Sequence, residues 1–174
     1  VYAKHILHIA SPTIGLMNVG EEEGKGHDLV QKTYDLFRGS ALSGTFLGNI
    51  EGRDIHRGAV DVVVTDGFTG NVVLKLSEGV FDFVVGLINA EVLGKLVADR
   101  DLGTQALKSL IGKYHYSTFG GAPLLGVEGV CVICHGSSKD KAVAAALGVA
   151  ALNVRVKLNE KIVAELASLP KGEE

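Results

Sequence analysis

Short apolar runs alternate along this chain with stretches whose apolar residues recur at helical spacing. That alternation predicts an α/β arrangement with a mostly parallel sheet and flanking helices. Thr13 to Val19 reads as a strand, and Gly44 to Leu47 as a short one. Val60-Asp61-Val62-Val63-Val64-Thr65 is the clearest strand, a β-branched run suited to burial on both faces. Gly24 to Arg38 carries Leu29, Val30, Thr33, Leu36 and Phe37 at helical spacing and predicts a helix, and another begins at about Gly70. Val127 to Cys134 reads as a further buried strand, followed by an alanine-rich helix from Ser138 to Val156 and a frayed tail from Pro170 to Glu174.

The stretch from Val80 to Ile111 has a different pattern. Val80, Phe81, Phe83, Val84, Val85, Leu87, Ile88, Val92, Leu93, Leu96 and Val97 surround a helix axis instead of forming one stripe. Asp82, Glu91 and Lys95 interrupt the run, which argues against a transmembrane span. After Asp99-Arg100-Asp101, an amphipathic pattern of Leu102, Ala106, Leu107, Leu110 and Ile111 predicts a second helix. Two readings are open for this helical hairpin, residues 80–112: core or dimer-interface helices, or a hairpin on a membrane surface with Lys95, Lys108 and Lys113 near the headgroups.

Composition narrows the class. The chain has 174 residues, 47% hydrophobic and 21% charged, a globular balance. A net charge of −3 without a lysine–arginine run gives no electrostatic reason to expect nucleic acid. Two close cysteines do not make a secreted disulfide framework, and a cytosolic protein is expected. Val1-Tyr2-Ala3-Lys4-His5 opens without methionine in what reads as the middle of a helix, so the chain is expected to be part of a larger enzyme.

The candidate chemistry lies in glycine-bearing segments. Asp66-Gly67-Phe68-Thr69-Gly70-Asn71 sits where strand meets helix, and helix amino-termini beyond the carboxyl ends of parallel strands suit phosphate. Gly67 and Gly70 permit close backbone approach, while the Thr69 hydroxyl and Asn71 amide add donors. The plainer alternative makes Thr69 a helix cap and Gly67 a turn residue. Asn18-Val19-Gly20-Glu21-Glu22-Glu23-Gly24-Lys25-Gly26 also lies between strand and helix, and by itself reads as a solvated acidic turn. It is not a P-loop, because its lysine stands between glycines and no Ser or Thr follows. Gly48-Asn49-Ile50-Glu51-Gly52 places Asn49 at a strand-end rim.

Gly120-Gly121-Ala122-Pro123-Leu124-Leu125-Gly126 has no acid–base group and is either a turn or an apolar wall with backbone donors. Cys131-Val132-Ile133-Cys134-His135 matches haem-attachment spacing, yet it lies on an apolar strand with no second ligand pair, so buried free cysteines are expected. In His135-Gly136-Ser137-Ser138, Ser137 or Ser138 caps the next helix, or His135 and both hydroxyls reach a cleft. No Gly-x-Ser-x-Gly elbow occurs, which suits direct attack on a substrate rather than an acyl-serine intermediate.

In this order and spacing, these segments resemble the carboxy-terminal half of a PlsX-type phosphate acyltransferase of bacterial phospholipid synthesis. The resemblance runs from about Val1 to the helix after Ser138. It implies a fold of the isocitrate-dehydrogenase/phosphotransacetylase-like class with a projecting helical hairpin. It also implies transfer of a long-chain acyl group from acyl-acyl-carrier protein to inorganic phosphate, giving acyl phosphate. Lys25, Asp66, Asn71 and His135 become the catalytic candidates; Gly20, Glu21, Asn49, Gly67, Thr69, Gly70, Gly120, Gly121, Ser137 and Ser138 become phosphate- or substrate-binding candidates. No metal or cofactor is implied. The expected partners are acyl-carrier protein, phosphate, a second copy of the chain, the membrane surface and a membrane glycerol-3-phosphate acyltransferase. A phosphate acetyltransferase using acyl-coenzyme A and a non-catalytic dimerising domain that touches the membrane are the alternatives.

Overall fold

A computed structural model of the chain describes residues 1–96, 98–114, 120–136 and 138–169. It divides into two compact units, Val1–Gly70 with Val156–Glu174, and Asn71–Arg155. The first holds α1 (Tyr2–His5), β1 (Ile14–Met17), α2 (Asp28–Gly39), β2 (Phe46–Ile50), α3 (Gly52–Arg57) and β3 (Val62–Val64). The three strands form a parallel sheet in the order β2-β1-β3, with α2 as the crossover from β1 to β2 and α3 as that from β2 to β3. The α/β class and parallel sheet expected from the apolar pattern are therefore present.

β1 is the central strand, and Leu16 on it is 2% exposed. Leu16, Tyr34 and Phe46 form a core joined by Ile14, Val30, Phe37 and Val64. Phe46 stacks on Phe37 at 4.8 Å between ring centroids and meets the Tyr34 ring edge-on at 5.3 Å. Such pairs contribute about 0.5–1.5 kcal/mol each beyond the area they bury. Thr13 and Asp61 fasten β1 to β3 just ahead of both strands. Asp61 Oδ2 accepts from the Thr13 amide at 2.8 Å and the Thr13 hydroxyl at 2.7 Å, and the Asp61 amide donates back to Thr13 Oγ1 at 3.0 Å. The Thr13 amide and then its hydroxyl hold the Asp61 carboxyl below the usual carboxylate range.

The β1–β2 register is irregular. Ile14 pairs with Phe46 but Gly15 with Gly48, so Leu47 is an extra, exposed residue on β2. Gly48 takes φ +105°, a left-handed conformation that favours glycine. After this bulge Gly48, Asn49 and Ile50 are buried in succession instead of alternating.

Several boundaries differ from the sequence-based expectation. α2 starts at Asp28 and not Gly24, because Gly26 at φ +86° turns the chain before it. α3 was not expected: apart from Ile55 it is polar, and no residue of it is buried. Its amino-terminus is fixed by the Glu51 amide donating to Asp54 Oδ2 at 2.9 Å, and it stops at the left-handed Gly58.

α4 (Gly67–Leu87) begins in the first unit and continues in the second from Asn71, where it runs into a π-helical turn (Ile88–Leu93), and α5 (Arg100–Tyr114) follows. α4 buries none of its residues, and Leu74, Phe83 and Leu87 are among its exposed apolar side chains. Leu93 is buried, as is Leu107 on α5; a Cβ added to Gly103 would come within 2.6 Å of Leu93 Cδ2, so the π turn and α5 pack closely there. Val97 lies outside the described residues.

β4 (Ala122–Pro123) and β5 (Val132–Ile133) form an antiparallel ribbon, followed by α6 (Asp140–Arg155). The expected strand from Val127 to Cys134 shrinks to β5, since Gly126 and Gly129 both take positive φ in the exposed stretch before it. Cys131 and Cys134 are exposed and free, not buried as expected. The first unit closes with α7 (Leu158–Ser168), an element not expected from the sequence, which buries Leu158.

Candidate active site

The first unit contains a cleft of about 730 Å³ beyond the carboxyl ends of β1 and β3. The spatial strand order departs from chain order at this pair, which is where open parallel sheets collect ligands. Leu16, Met17, Leu29, Val30 and Val64 supply an apolar wall. Asn18, His27, Thr33, Thr65, Asp66 and Thr69 supply polar groups. His27 immediately precedes α2 and Thr69 lies in the first turn of α4, so the amino-terminal turns of two helices border the cleft. Such turns present N–H groups and partial positive charge.

Asp66, not Thr69, caps α4. Its backbone oxygen accepts from the Gly70 amide at 2.9 Å, and its Oδ1 accepts from the Thr69 amide at 2.9 Å. The Thr69 hydroxyl, then the Thr69 amide, holds the Asp66 carboxyl below the usual carboxylate range. At neutral pH it is therefore an ionised acceptor and unsuited to serve as a general acid. Gly67 opens the helix, and Gly70 is needed for packing: a Cβ there would fall 2.9 Å from Thr65 Cγ2.

The loop Gly20–Gly26 follows β1 and is held from three sides. Asn18 Nδ2 donates to Lys25 O at 3.0 Å, and its Oδ1 accepts from the Val19 amide at 2.8 Å. Gln31 Nε2 donates to Gly24 O and to Gly26 O, both at 3.0 Å. Asn49 Nδ2 donates to Glu22 O at 2.8 Å, and Asn49 is only 7% exposed. The three glutamates are each engaged. Glu21 lies 3.6 Å from Arg53, Glu22 lies 3.9 Å from Lys25, and Glu23 accepts from the Tyr34 hydroxyl at 3.0 Å. Burial, and then the bond to Glu23, raises the Tyr34 phenol above its ordinary range. Gly26 has no room for a side chain, since a Cβ would sit 2.5 Å from Asn18 Oδ1.

Of the sequence candidates, Asp66 and Thr69 line the cleft, whereas Gly20, Glu21 and Lys25 belong to the loop between two pairs of lining residues, Asn18–Val19 and Gly26–His27. Asn49 supports that loop from β2. Asn71, exposed, is the first residue of the second unit. Gly120, Gly121, His135 and Ser138 also belong to that unit. Gly120, at φ +77°, lies so close to α6 that a Cβ would meet the Ala145 carbonyl carbon at 2.5 Å, and a Cβ on Gly121, at φ +108°, would meet Ile133 O at 2.5 Å. Ser138 donates its amide to His135 O at 2.9 Å ahead of α6. Ser137 lies outside the described residues. Among the described residues, no three His, Cys, Asp or Glu are grouped to hold a metal ion.

Asn18, His27 and Thr33 join the cleft without having been singled out, and Gln31 and Tyr34 join its support. The signal available for the last two was their shared i, i+3 face on the helix after the loop.

The family described as "Fatty acid synthesis protein" matches residues 1–161. The chain is 44% identical over 165 residues to a phosphate acyltransferase of Dictyoglomus turgidum, covering 94% of this chain and 49% of that protein. It is 43% identical over 166 residues to one of Nitratidesulfovibrio vulgaris, covering 93% and 47%. It is 46% identical over 157 residues to one of Heliobacterium modesticaldum, covering 89% and 46%. The chain thus spans about half the length of the curated relatives it matches. With its sheet, its strand-end cleft and a match over nearly its whole length, the chain belongs to this fatty acid synthesis family, the PlsX-type phosphate acyltransferases.

Proposed function

We propose that this protein transfers a long-chain fatty acyl group from acyl-acyl-carrier protein to inorganic phosphate, releasing acyl phosphate for phospholipid synthesis. The observation that supports this most is the two-sided cleft: an apolar wall of Leu16, Met17, Leu29, Val30 and Val64, bordered by the amino-terminal turns of α2 and α4. The wall suits the apolar part of an acyl thioester, and the helix turns suit phosphate.

In the reaction a phosphate oxygen attacks the thioester carbonyl, the new C–O bond forms, and the C–S bond then breaks. The departing thiolate takes up a proton; with an ordinary thiol pKa of about 8.5 it needs little acid assistance. This fits a cleft in which Asp66 is committed as an ionised cap, leaving binding and N–H donation as the main tasks of the rim. Lys25, on the loop that follows β1, remains the candidate for phosphate contact.

The reading extends to a protein working in the cytoplasm at the membrane face, as a homodimer that hands its amphiphilic product to a membrane glycerol-3-phosphate acyltransferase. α4 supports this, because its exposed Leu74, Phe83 and Leu87 call for cover by a second copy or by lipid. No single helix among the described residues is long and apolar enough to cross a membrane.

The test is mass spectrometry of the purified larger enzyme of which this chain is expected to be part, incubated with long-chain acyl-acyl-carrier protein and phosphate. Phosphate-dependent loss of thioester with formation of acyl phosphate is expected. Reaction with acyl-coenzyme A alone would favour the phosphate acetyltransferase reading, and no phosphate-dependent loss would sink the proposal.

A further inference from the structure

The loop Gly20–Gly26 is rich in glycine and glutamate, a composition that by itself favours many conformations. In the structure it is nevertheless tied at four carbonyl oxygens by three side-chain amides. Gln31 Nε2 takes Gly24 O and Gly26 O, Asn18 Nδ2 takes Lys25 O, and Asn49 Nδ2 takes Glu22 O. Tyr34 adds a fifth tie through Glu23 Oε1. Neither Gln31 nor Tyr34 lines the cleft. Both sit on α2 one turn apart, so α2 reaches the cleft twice: directly through Leu29, Val30 and Thr33, and indirectly through the loop.

We propose that Gln31 and Tyr34 are positioning residues for the acyl transfer: they hold the Gly20–Gly26 loop in one conformation at the cleft rim and so set how phosphate is bound. This rests on the phosphate acyltransferase reading of the cleft. Two observations separate the role from ordinary fold stabilisation. The Gln31 bonds run to loop carbonyls in exposed or half-buried surroundings, where water can replace them without leaving a buried group unsatisfied. The fixed conformation is also one that a plain turn would not hold, because Gly26 at φ +86° packs against Asn18 with no room for a Cβ. Gly48 belongs to the same arrangement, since the site of its missing Cβ lies 3.9 Å from the Tyr34 ring and hydroxyl.

The test compares wild-type protein with Gln31→Leu and Tyr34→Phe, using hydrogen exchange of the loop amides, thermal unfolding and steady-state kinetics with phosphate as the varied substrate. For both variants we expect faster exchange confined to residues 20–26. Tm should move by less than about 3 °C, as fits loss of a few ordinary hydrogen bonds, with the Tyr34 ring that packs in the core kept by Phe. KM for phosphate should rise about tenfold, with kcat within about twofold, as fits loss of one or two ordinary hydrogen bonds. Unchanged loop exchange in Gln31→Leu would overturn the clasp, and faster exchange with wild-type KM would overturn its part in binding. A wild-type protein that makes no acyl phosphate would overturn the function reading instead. In that case loop exchange, read with and without added inorganic phosphate, still decides the clasp: protection by phosphate in wild type but not in the variants supports it, and equal behaviour overturns it.

Discussion

The two units meet the demands of their apolar residues in opposite ways. The first is organised inward, with Leu16, Tyr34 and Phe46 packed under a three-stranded sheet and polar ties such as Thr13–Asp61 at the strand ends. The second carries α4 from Asn71 to Leu87, a stretch without one buried residue, and covers Leu93 and Leu107 through the close approach of the π turn and α5. Burial inside the unit explains the apolar residues of the sheet. It does not explain those of α4, whose pattern asks for a surface that its own unit does not supply.

Substitution should expose that contrast. Leu16→Ala removes a 2%-exposed side chain from the middle of the core, and a loss of about 2–5 kcal/mol in denaturant unfolding is expected. A loss under about 1 kcal/mol would mean that the sheet core repacks freely and the contrast is overstated.

The double change Phe83→Glu with Leu87→Glu should leave unfolding of the isolated chain within about 0.5 kcal/mol, as for exposed positions generally. It should also reduce self-association in analytical ultracentrifugation or cosedimentation with anionic vesicles. Marked unfolding would instead show that α4 is covered by its own chain. Leu93 is unsuitable for this purpose, because its burial means that a charge there would unfold the π turn in any case.

A smaller effect is expected from Thr13→Val, which removes the hydroxyl from the Asp61 clasp while keeping the backbone donor. The folded-state pKa of Asp61 lies below the ordinary value, so its contribution is present above the unfolded carboxyl's pKa and is lost as pH falls through the folded value. Circular dichroism against pH should show the variant losing structure at a higher pH than wild type, and denaturant unfolding should show it less stable above about pH 5, the two converging as pH falls further. Coincident acid transitions would make the clasp irrelevant to stability.

The parts that could be read from the sequence were those in which side-chain type and spacing carry the physics. Val62–Val64 is β-branched and so announced a strand, though β3 lies at the sheet edge and is half-buried instead of buried on both faces, and Asp66 with Thr69 announced a helix start at a strand end. What stayed hidden depends on partners far along the chain or on backbone conformation. α3 has one apolar side chain and no burial, so no period marks it. The helix boundary at Asp28 is set by the turn at Gly26, not by propensity. Gln31 and Tyr34 look like ordinary helix positions, and their role appears only when the loop behind them is folded back; Tyr34 reaches a residue 11 positions earlier. The apolar run before Cys134 misled for the opposite reason: branched side chains suggested a buried strand, while the glycines at 126 and 129 broke it into exposed turns.

The bulge at Leu47 makes residue count, and not only residue type, part of the design of this chain. A strand is a two-state alternator, and one inserted residue inverts the output for everything after it. Deleting Leu47 would leave every chemical group near the cleft in the sequence yet return β2 to strict alternation, turning the Asn49 amide away from the Glu22 carbonyl it now holds. Transplanting the Gly48–Gly52 segment into another strand would carry its function only if the odd residue travels with it.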